Sequence, residues 1–247
     1  MSLLEFRHVG KHRADGRGYV AVLEDASLRI DEGDRVGIWG VRRSGKSTLL
    51  RIAAGLEFPD EGTVVFDGKV LTEISQDERA ALLRRDGIGL VRSPWRPLRN
   101  RPAIEHVAVA LMSDGVSLRD AKRAAFTALT HADAADCAYI PTSQLSQGEL
   151  VRVQLAQRLV HEPRLLLIDE PAVLSSPKAS MALYELLWSL AQDSKCAIMI
   201  ASEELDAIQP ASRIMTISAG QLRSTDRPGS VVPFPEDRTA ARQRSRQ

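Results

Sequence analysis

The chain is poor in cysteine. Its 247 residues contain two, Cys137 and Cys196. They lie far apart, form no metal-ligand spacing and offer no disulfide framework. A reduced cytosolic setting is expected, with both thiols acting as small buried apolar groups. Long apolar runs are also missing: nothing approaches the ~18 consecutive apolar residues of a membrane span. Glu5 and Arg7 interrupt the place where the apolar centre of a signal peptide would lie, so no such leader is expected. Charge of one sign is lacking too. Lys and Arg number 33, Asp and Glu 32, and the formal net charge is +1. Strong binding to nucleic acid or to an anionic membrane through bulk charge is not expected. Any membrane role must therefore run through a partner. What remains, 44% hydrophobic and 26% charged, is the composition of an ordinary globular protein.

Against these absences stands one dense motif. Gly40-Val41-Arg42-Arg43-Ser44-Gly45-Lys46-Ser47, followed by Thr48, fits G-x-x-x-x-G-K-[ST] at every fixed position. Two glycines let the backbone curl so that successive N–H groups point inward at a phosphate chain. Lys46 is placed to reach the β- and γ-phosphates, and the Ser47 hydroxyl to ligate Mg²⁺. The surroundings agree. Arg35 to Trp39 reads as a short buried strand, and Thr48 to Ala54 has helical spacing with Leu49, Ile52 and Ala53 on one face. A strand feeding a helix through a glycine loop is an anion site.

Along the rest of the chain, strands are expected at Leu3–Val9, Tyr19–Leu23, Ala26–Ile30, Thr63–Phe66 and Ile88–Val91, with a turn at 13–18 and a tight hairpin at Asp67-Gly68. Ser75 to Arg84 looks helical, with Ser75 and Glu78 spaced as a capping box. From about 93 to 159 the pattern turns helical: Pro102–Met112, a helix from Ser117 to about Thr130, and a third from about Glu149 to Val160. Strand character returns at Leu165–Ile168 and Ala197–Ala201, around a helix at about 180–192. Strands on both sides of a helical block predict an α/β core with an inserted helical lobe. Residues 225–247 carry Pro and Arg without periodicity and are expected to form a disordered tail.

Two more segments bear on phosphate chemistry. Leu165 to Ile168 is a buried-strand run ending in Asp169 and Glu170. Beside a P-loop, the first acid suits Mg²⁺ and the second suits a water aimed at the γ-phosphate. Leu145-Ser146-Gln147-Gly148-Glu149 opens a helix with Ser146 as its cap, so its N–H groups form a second anion-facing end.

Taken together, these segments resemble an ATP-binding cassette (ABC) ATPase subunit over roughly residues 3–224. The P-loop, L-S-Q-G-E and L-L-L-I-D-E-P stand in the order and at the spacing of that family. The resemblance implies a P-loop NTPase with a RecA-like core, an antiparallel β subdomain and a helical lobe, binding ATP and Mg²⁺. It implies that two such subunits, identical or not, pair head to tail, so that Ser146, Gln147 and Gly148 act on the partner's nucleotide. It also implies a separately encoded membrane permease, a place on the cytoplasmic face of the membrane and no nucleic-acid partner. Ile74 to Val91 is similar to the lipoprotein-release, macrolide-export and cell-division branch.

Departures from the family are expected to matter. The glutamine that normally contacts Mg²⁺ and the attacking water aligns with Ser93, and no Gln occurs between Gln76 and Gln144. The histidine that normally contacts the γ-phosphate is aligned with Ser202, and no His follows His161. Gln147 replaces a glycine, and Ser176 an aspartate. His12 and Tyr19 are the two candidates for stacking adenine. Trp95, Pro97 and Leu98 are candidates for docking the permease, with Trp95 equally readable as core. The expected activity is ATP binding with slow hydrolysis. A regulatory subunit with little turnover is the alternative. A ribosomal or DNA-associated form fits less well, because a single P-loop is present.

Overall fold

The computed structural model describes residues 2–14, 16, 18–75, 77–78, 87–92, 95, 97, 100–171, 177–190 and 195–225. Two sheets organise the chain. The first is antiparallel, in the order β2-β1-β4-β5, from β1 (Ser2–Ala14), β2 (Tyr19–Asp31), β4 (Glu61–Phe66) and β5 (Lys69–Val70). The second has six strands in the order β10-β9-β3-β8-β7-β6. Its members are β3 (Arg35–Trp39), β6 (Ile88–Arg92), β7 (Leu165–Asp169), β8 (Ala197–Ser202), β9 (Arg213–Ser218) and β10 (Gln221–Thr225). β6, β7, β8, β3 and β9 are parallel, and β10 returns antiparallel to β9.

β6 and β7 are hydrogen-bonded neighbours, yet a helical lobe separates them in sequence. It holds α2 (Ala103–Met112), α3 (Leu118–His131) and α4 (Gln147–Leu159). α1 (Lys46–Ala53) follows β3, α5 (Pro177–Leu190) connects β7 to β8, and the short α6 (Leu205–Ile208) follows β8. This is the mixed α/β P-loop architecture that the sequence predicts.

The parallel strands read as apolar runs because both of their faces are covered. Along β7, Leu166 and Ile168 face one core, with the helical lobe, α5 and α6. Leu165 and Leu167 face the other, with α1 and the antiparallel sheet. β8 alternates likewise: Ile198 and Ile200 to the helical side, Ala197, Met199 and Ala201 to the α1 side. The period of two carries on past the strand ends and decides where the functional side chains go.

Several expected boundaries shift. The two strands at 19–23 and 26–30 are one, β2, bent at Asp25, whose φ is +50. Arg13 and Ala14 belong to β1 rather than to a turn. α6, β9 and β10 have no counterpart in the expected pattern. Ser75 and Glu78 make the anticipated mutual cap, Ser75 N–H donating to Glu78 Oε2 at 2.8 Å and Glu78 N–H to Ser75 Oγ at 3.2 Å. The rest of that helix, Leu98 and the tail from 226 onward lie outside the described residues. Cys137 is buried and Cys196 half-buried.

Candidate functional site

The P-loop leaves the C-terminal end of β3, which lies between β8 and β9. Its shape depends on two glycines. Gly45 has φ +111, and a Cβ there would stand 2.6 Å from the Val22 carbonyl oxygen. A Cβ on Gly40 would stand 2.6 Å from Ser44 Oγ and 2.7 Å from the Ile217 carbonyl oxygen. Neither position admits a side chain without moving the backbone.

Lys46 opens α1 and is 5% exposed. Its ammonium donates to the carbonyls of Gly40 at 2.6 Å and Val41 at 3.1 Å. The same nitrogen lies 3.2 Å from Glu170 Oε1 and 3.6 Å from Glu203 Oε1. The next residue, Ser47, donates its hydroxyl to Asp169 Oδ1 at 3.0 Å. The two halves of the motif pair therefore converge, as the sequence expects.

Alternation explains the convergence. Asp169 continues the Leu165, Leu167 face of β7 and so points toward α1. Burial raises its carboxyl above the ordinary range, opposed by the Ser47 hydroxyl and by the charges of Arg51, Lys46 and Arg92. Glu170 follows in a left-handed turn, φ +43, with its N–H donating to the Ala201 carbonyl at 3.1 Å. A non-glycine residue there is held by its surroundings, and such strain concentrates at working sites. Burial also raises the Glu170 carboxyl; the Lys46 ammonium pulls it back, and the neighbouring Glu203 charge adds to the rise.

A cavity of about 470 Å³ opens over the loop. It is lined by the loop from Arg42 to Thr48, by Glu170 and Glu203, and by Arg13, Val22 and Arg51. Within it, Ser44 Oγ is buried and makes no hydrogen bond in the protein. An unpartnered hydroxyl beside inward-turned loop amides fits a phosphate oxygen. Ser47 and Asp169 would hold Mg²⁺ there, an all-oxygen pair suited to that ion.

Two expectations are corrected. Ser202 does not face this cavity. It is fully buried, its hydroxyl bonded to the Tyr184 hydroxyl at 3.0 Å and accepting from the Glu204 N–H at 3.0 Å. It continues the helical face of β8, so the residue that turns toward the P-loop is Glu203. Neither adenine candidate is among the residues that line this cavity. Tyr19 is 81% exposed at the start of β2. His12 donates its backbone N–H to Asp60 Oδ2 at 2.7 Å and is not part of the cavity lining. Arg13, one residue along β1, lines the cavity instead and reaches Thr48 Oγ1 at 3.3 Å. Arg13 and Glu203 are thus the functional candidates that sequence reasoning missed. In both cases the signal was strand alternation, which puts neighbours on opposite faces.

Ser146 caps α4 as expected. Its N–H donates to Glu149 Oε2 at 2.7 Å and its Oγ accepts from the Glu149 N–H at 3.4 Å, a capping box. Ser146, Gln147 and Gly148 line a second cavity of about 360 Å³, with Arg152, Ala179 and Leu183. Among the described residues, none lines both cavities. Within one chain the signature does not complete the P-loop site. Ser93 and Ser176 lie outside the described residues. Arg92, next to Ser93, pairs in register with Asp169, and its N–H donates to Gln154 Oε1 at 3.3 Å. Trp95 is half-buried and meets the His106 ring edge-on, with centroids 5.8 Å apart.

Comparison with known proteins agrees with this geometry. A family model described as ABC transporter matches residues 23–173. The lipoprotein-releasing system ATP-binding protein LolD of Pseudomonas syringae pv. tomato is 30% identical over 221 residues, covering 90% of this chain and 97% of that protein. The methionine import ATP-binding protein MetN of Latilactobacillus sakei is 31% identical, covering 89% of this chain and 64% of that protein. Among solved structures, the dimeric ATP-binding cassette MJ0796 bound to ADP and Pi superposes with a TM-score of 0.83 at 26% identity, covering 90% of this chain and 97% of that one. The chain belongs to the ABC transporter family and is one of its ATP-binding cassettes.

Proposed function

We propose that this cassette binds MgATP between two copies, or between this chain and a related one, and hydrolyses it slowly to drive a separately encoded membrane permease. The observation that carries the reading is the convergence of Ser47 on Asp169 at 3.0 Å and of Lys46 on Glu170 at 3.2 Å. Lys46 and the loop amides would hold the phosphate chain, with Ser44 Oγ as a further partner. The metal would spread the charge of the phosphates. Glu170, its carboxyl raised by burial, is placed to take a proton from an attacking water. Signature residues Ser146, Gln147 and Gly148 would be supplied by the opposite copy, which accords with their separate cavity.

A place at the cytoplasmic face of the membrane would come through the permease. Among the described residues, no helix is long and apolar enough to cross a bilayer. Slow turnover is supported by Ser202 and Glu203. The buried Ser202 hydroxyl is already bonded twice, and a carboxylate stands beside the lysine. The same two observations favour the second reading, a nucleotide-binding regulatory subunit. ATP turnover by the purified chain, with and without Glu170→Gln, separates them. A measurable rate abolished by the substitution supports the enzyme. A rate that is negligible in both proteins, with ATP still bound, supports the regulatory subunit.

A further inference from the structure

Lys46 has three N–H donors. Two go to the Gly40 and Val41 carbonyls, at 2.6 and 3.1 Å. The third side of the ammonium faces two carboxylates, Glu170 at 3.2 Å and Glu203 at 3.6 Å. A phosphate that takes this lysine must therefore displace or lie against a carboxylate. Glu170 has a use in the proposed chemistry. Glu203 has none, and its backbone is held beside the site. Its backbone carbonyl accepts from the Trp39 indole N–H at 3.0 Å.

Both carboxylates reach the same Lys46 nitrogen, which puts Glu203 on the Glu170 side of the lysine, where the phosphate attacked by water must lie. The loop amides and the start of α1 cradle the inner phosphates from the other side. We propose that Glu203 sets the nucleotide preference of this pocket. Its carboxylate opposes the terminal phosphate, so the chain holds a diphosphate nucleotide more tightly than a triphosphate unless that side chain turns away from Lys46. The inference rests on the nucleotide reading above and adds a selectivity to it. The charge penalty falls on the γ-phosphate because that group lies nearest the carboxylate and the inner phosphates lie behind the lysine.

Calorimetric titration of the full chain with MgADP and with the magnesium complex of the non-hydrolysable β,γ-imido analogue of ATP tests it. Glu203→Gln keeps the shape and removes the charge. The expected result is tighter binding of the triphosphate analogue by about tenfold or more, while ADP affinity changes less than about threefold. Thermal melting of both proteins checks that the variant is folded, and Glu203→Ala serves as a second neutral variant should Gln bond Lys46 in the same way. An unchanged ratio of the two affinities in both variants overturns the inference while leaving nucleotide binding intact. Failure of wild type and variants alike to bind either nucleotide overturns the nucleotide reading, and this inference with it.

Discussion

Ser47 Oγ donates to Asp169 Oδ1 at 3.0 Å, joining two residues 122 positions apart in the chain. One stands in the first turn of α1 and the other at the last position of β7. The bond holds the hydroxyl and the carboxylate within reach of one cation. It also relieves part of the cost of burying Asp169, whose carboxyl is raised chiefly by desolvation.

Replacing Asp169 with Asn separates the two roles of this residue. The amide oxygen still accepts from Ser47, but the charge that would hold Mg²⁺ is gone. Nucleotide affinity should then lose most of its dependence on Mg²⁺, measured by titration with the metal and with a chelator. Stability should move the other way. A folded carboxyl raised above its unfolded value of 3.8 gives its full stability below that pH and loses it as pH rises through the folded value. The Asn variant carries no such loss. Its melting temperature should match or exceed that of the wild type at neutral pH, and the difference should shrink toward pH 3.8.

Glu170→Gln tests the proposed base. The amide keeps the volume and the strained turn but cannot take a proton. The steady-state ATPase rate should fall by about 10² or more, the scale of removing a positioned general base. Nucleotide binding should persist, and closed dimers should accumulate in ATP by size-exclusion chromatography. A residual rate near that of the wild type would remove Glu170 from the chemistry.

The sequence made the core of this site legible because its signals are local. The P-loop needs a strand, two glycines and a helix in immediate succession, and Asp169 ends an unbroken apolar run. Side-chain direction was harder. Ser202 and Glu203 differ only in which face of β8 they continue, and His12 and Arg13 likewise on β1. Choosing between such neighbours requires knowing which face packs on α1 and which on α5, a fact of tertiary packing. The missed strands β9 and β10 mix polar with apolar residues. They are strands because β3 and β9 offer partners, which no window of local sequence contains.

Arg13, rather than the adjacent His12 expected as a platform for the base, lines the cavity over the P-loop. Its guanidinium reaches Thr48 Oγ1 and the Glu57 carboxylate, each at 3.3 Å, and Arg51 holds the same Glu57 oxygen at 2.8 Å. Glu57 therefore keeps a partner when Arg13 is removed. A guanidinium plane can stack on a purine, as an aromatic ring can. Arg13→Ala should weaken ATP binding by about three- to tenfold, and Arg13→Tyr should recover most of the loss. Competition with inorganic tripolyphosphate decides where the contact lies. If Arg13 touches the base, the tripolyphosphate affinity stays level across the three proteins. If it falls in step with that of ATP, Arg13 acts on the phosphates alone.

The capping box at Ser146 gives a prediction independent of any nucleotide. Ser146→Ala removes the oxygen that accepts from the Glu149 N–H and one of the groups that hold the Glu149 carboxylate. Losing such a cap costs about 1 kcal/mol at neutral pH. The Glu149 carboxyl is lowered below 4.5, first by the Ser146 hydroxyl and then by the Ser146 N–H. A depressed carboxyl contributes stability that is present above its unfolded value and lost as pH falls through the folded one. The gap between wild type and Ser146→Ala in urea denaturation should therefore narrow once the pH drops below 4.5. Because Ser146 also faces the cavity assigned to the partner's nucleotide, the same variant should lose far more ATPase activity than stability. Glu149→Gln, which weakens the cap and leaves the Ser146 hydroxyl in place, should lose stability with little change in rate. Equal effects of the two variants on rate would make Ser146 a structural cap and nothing more.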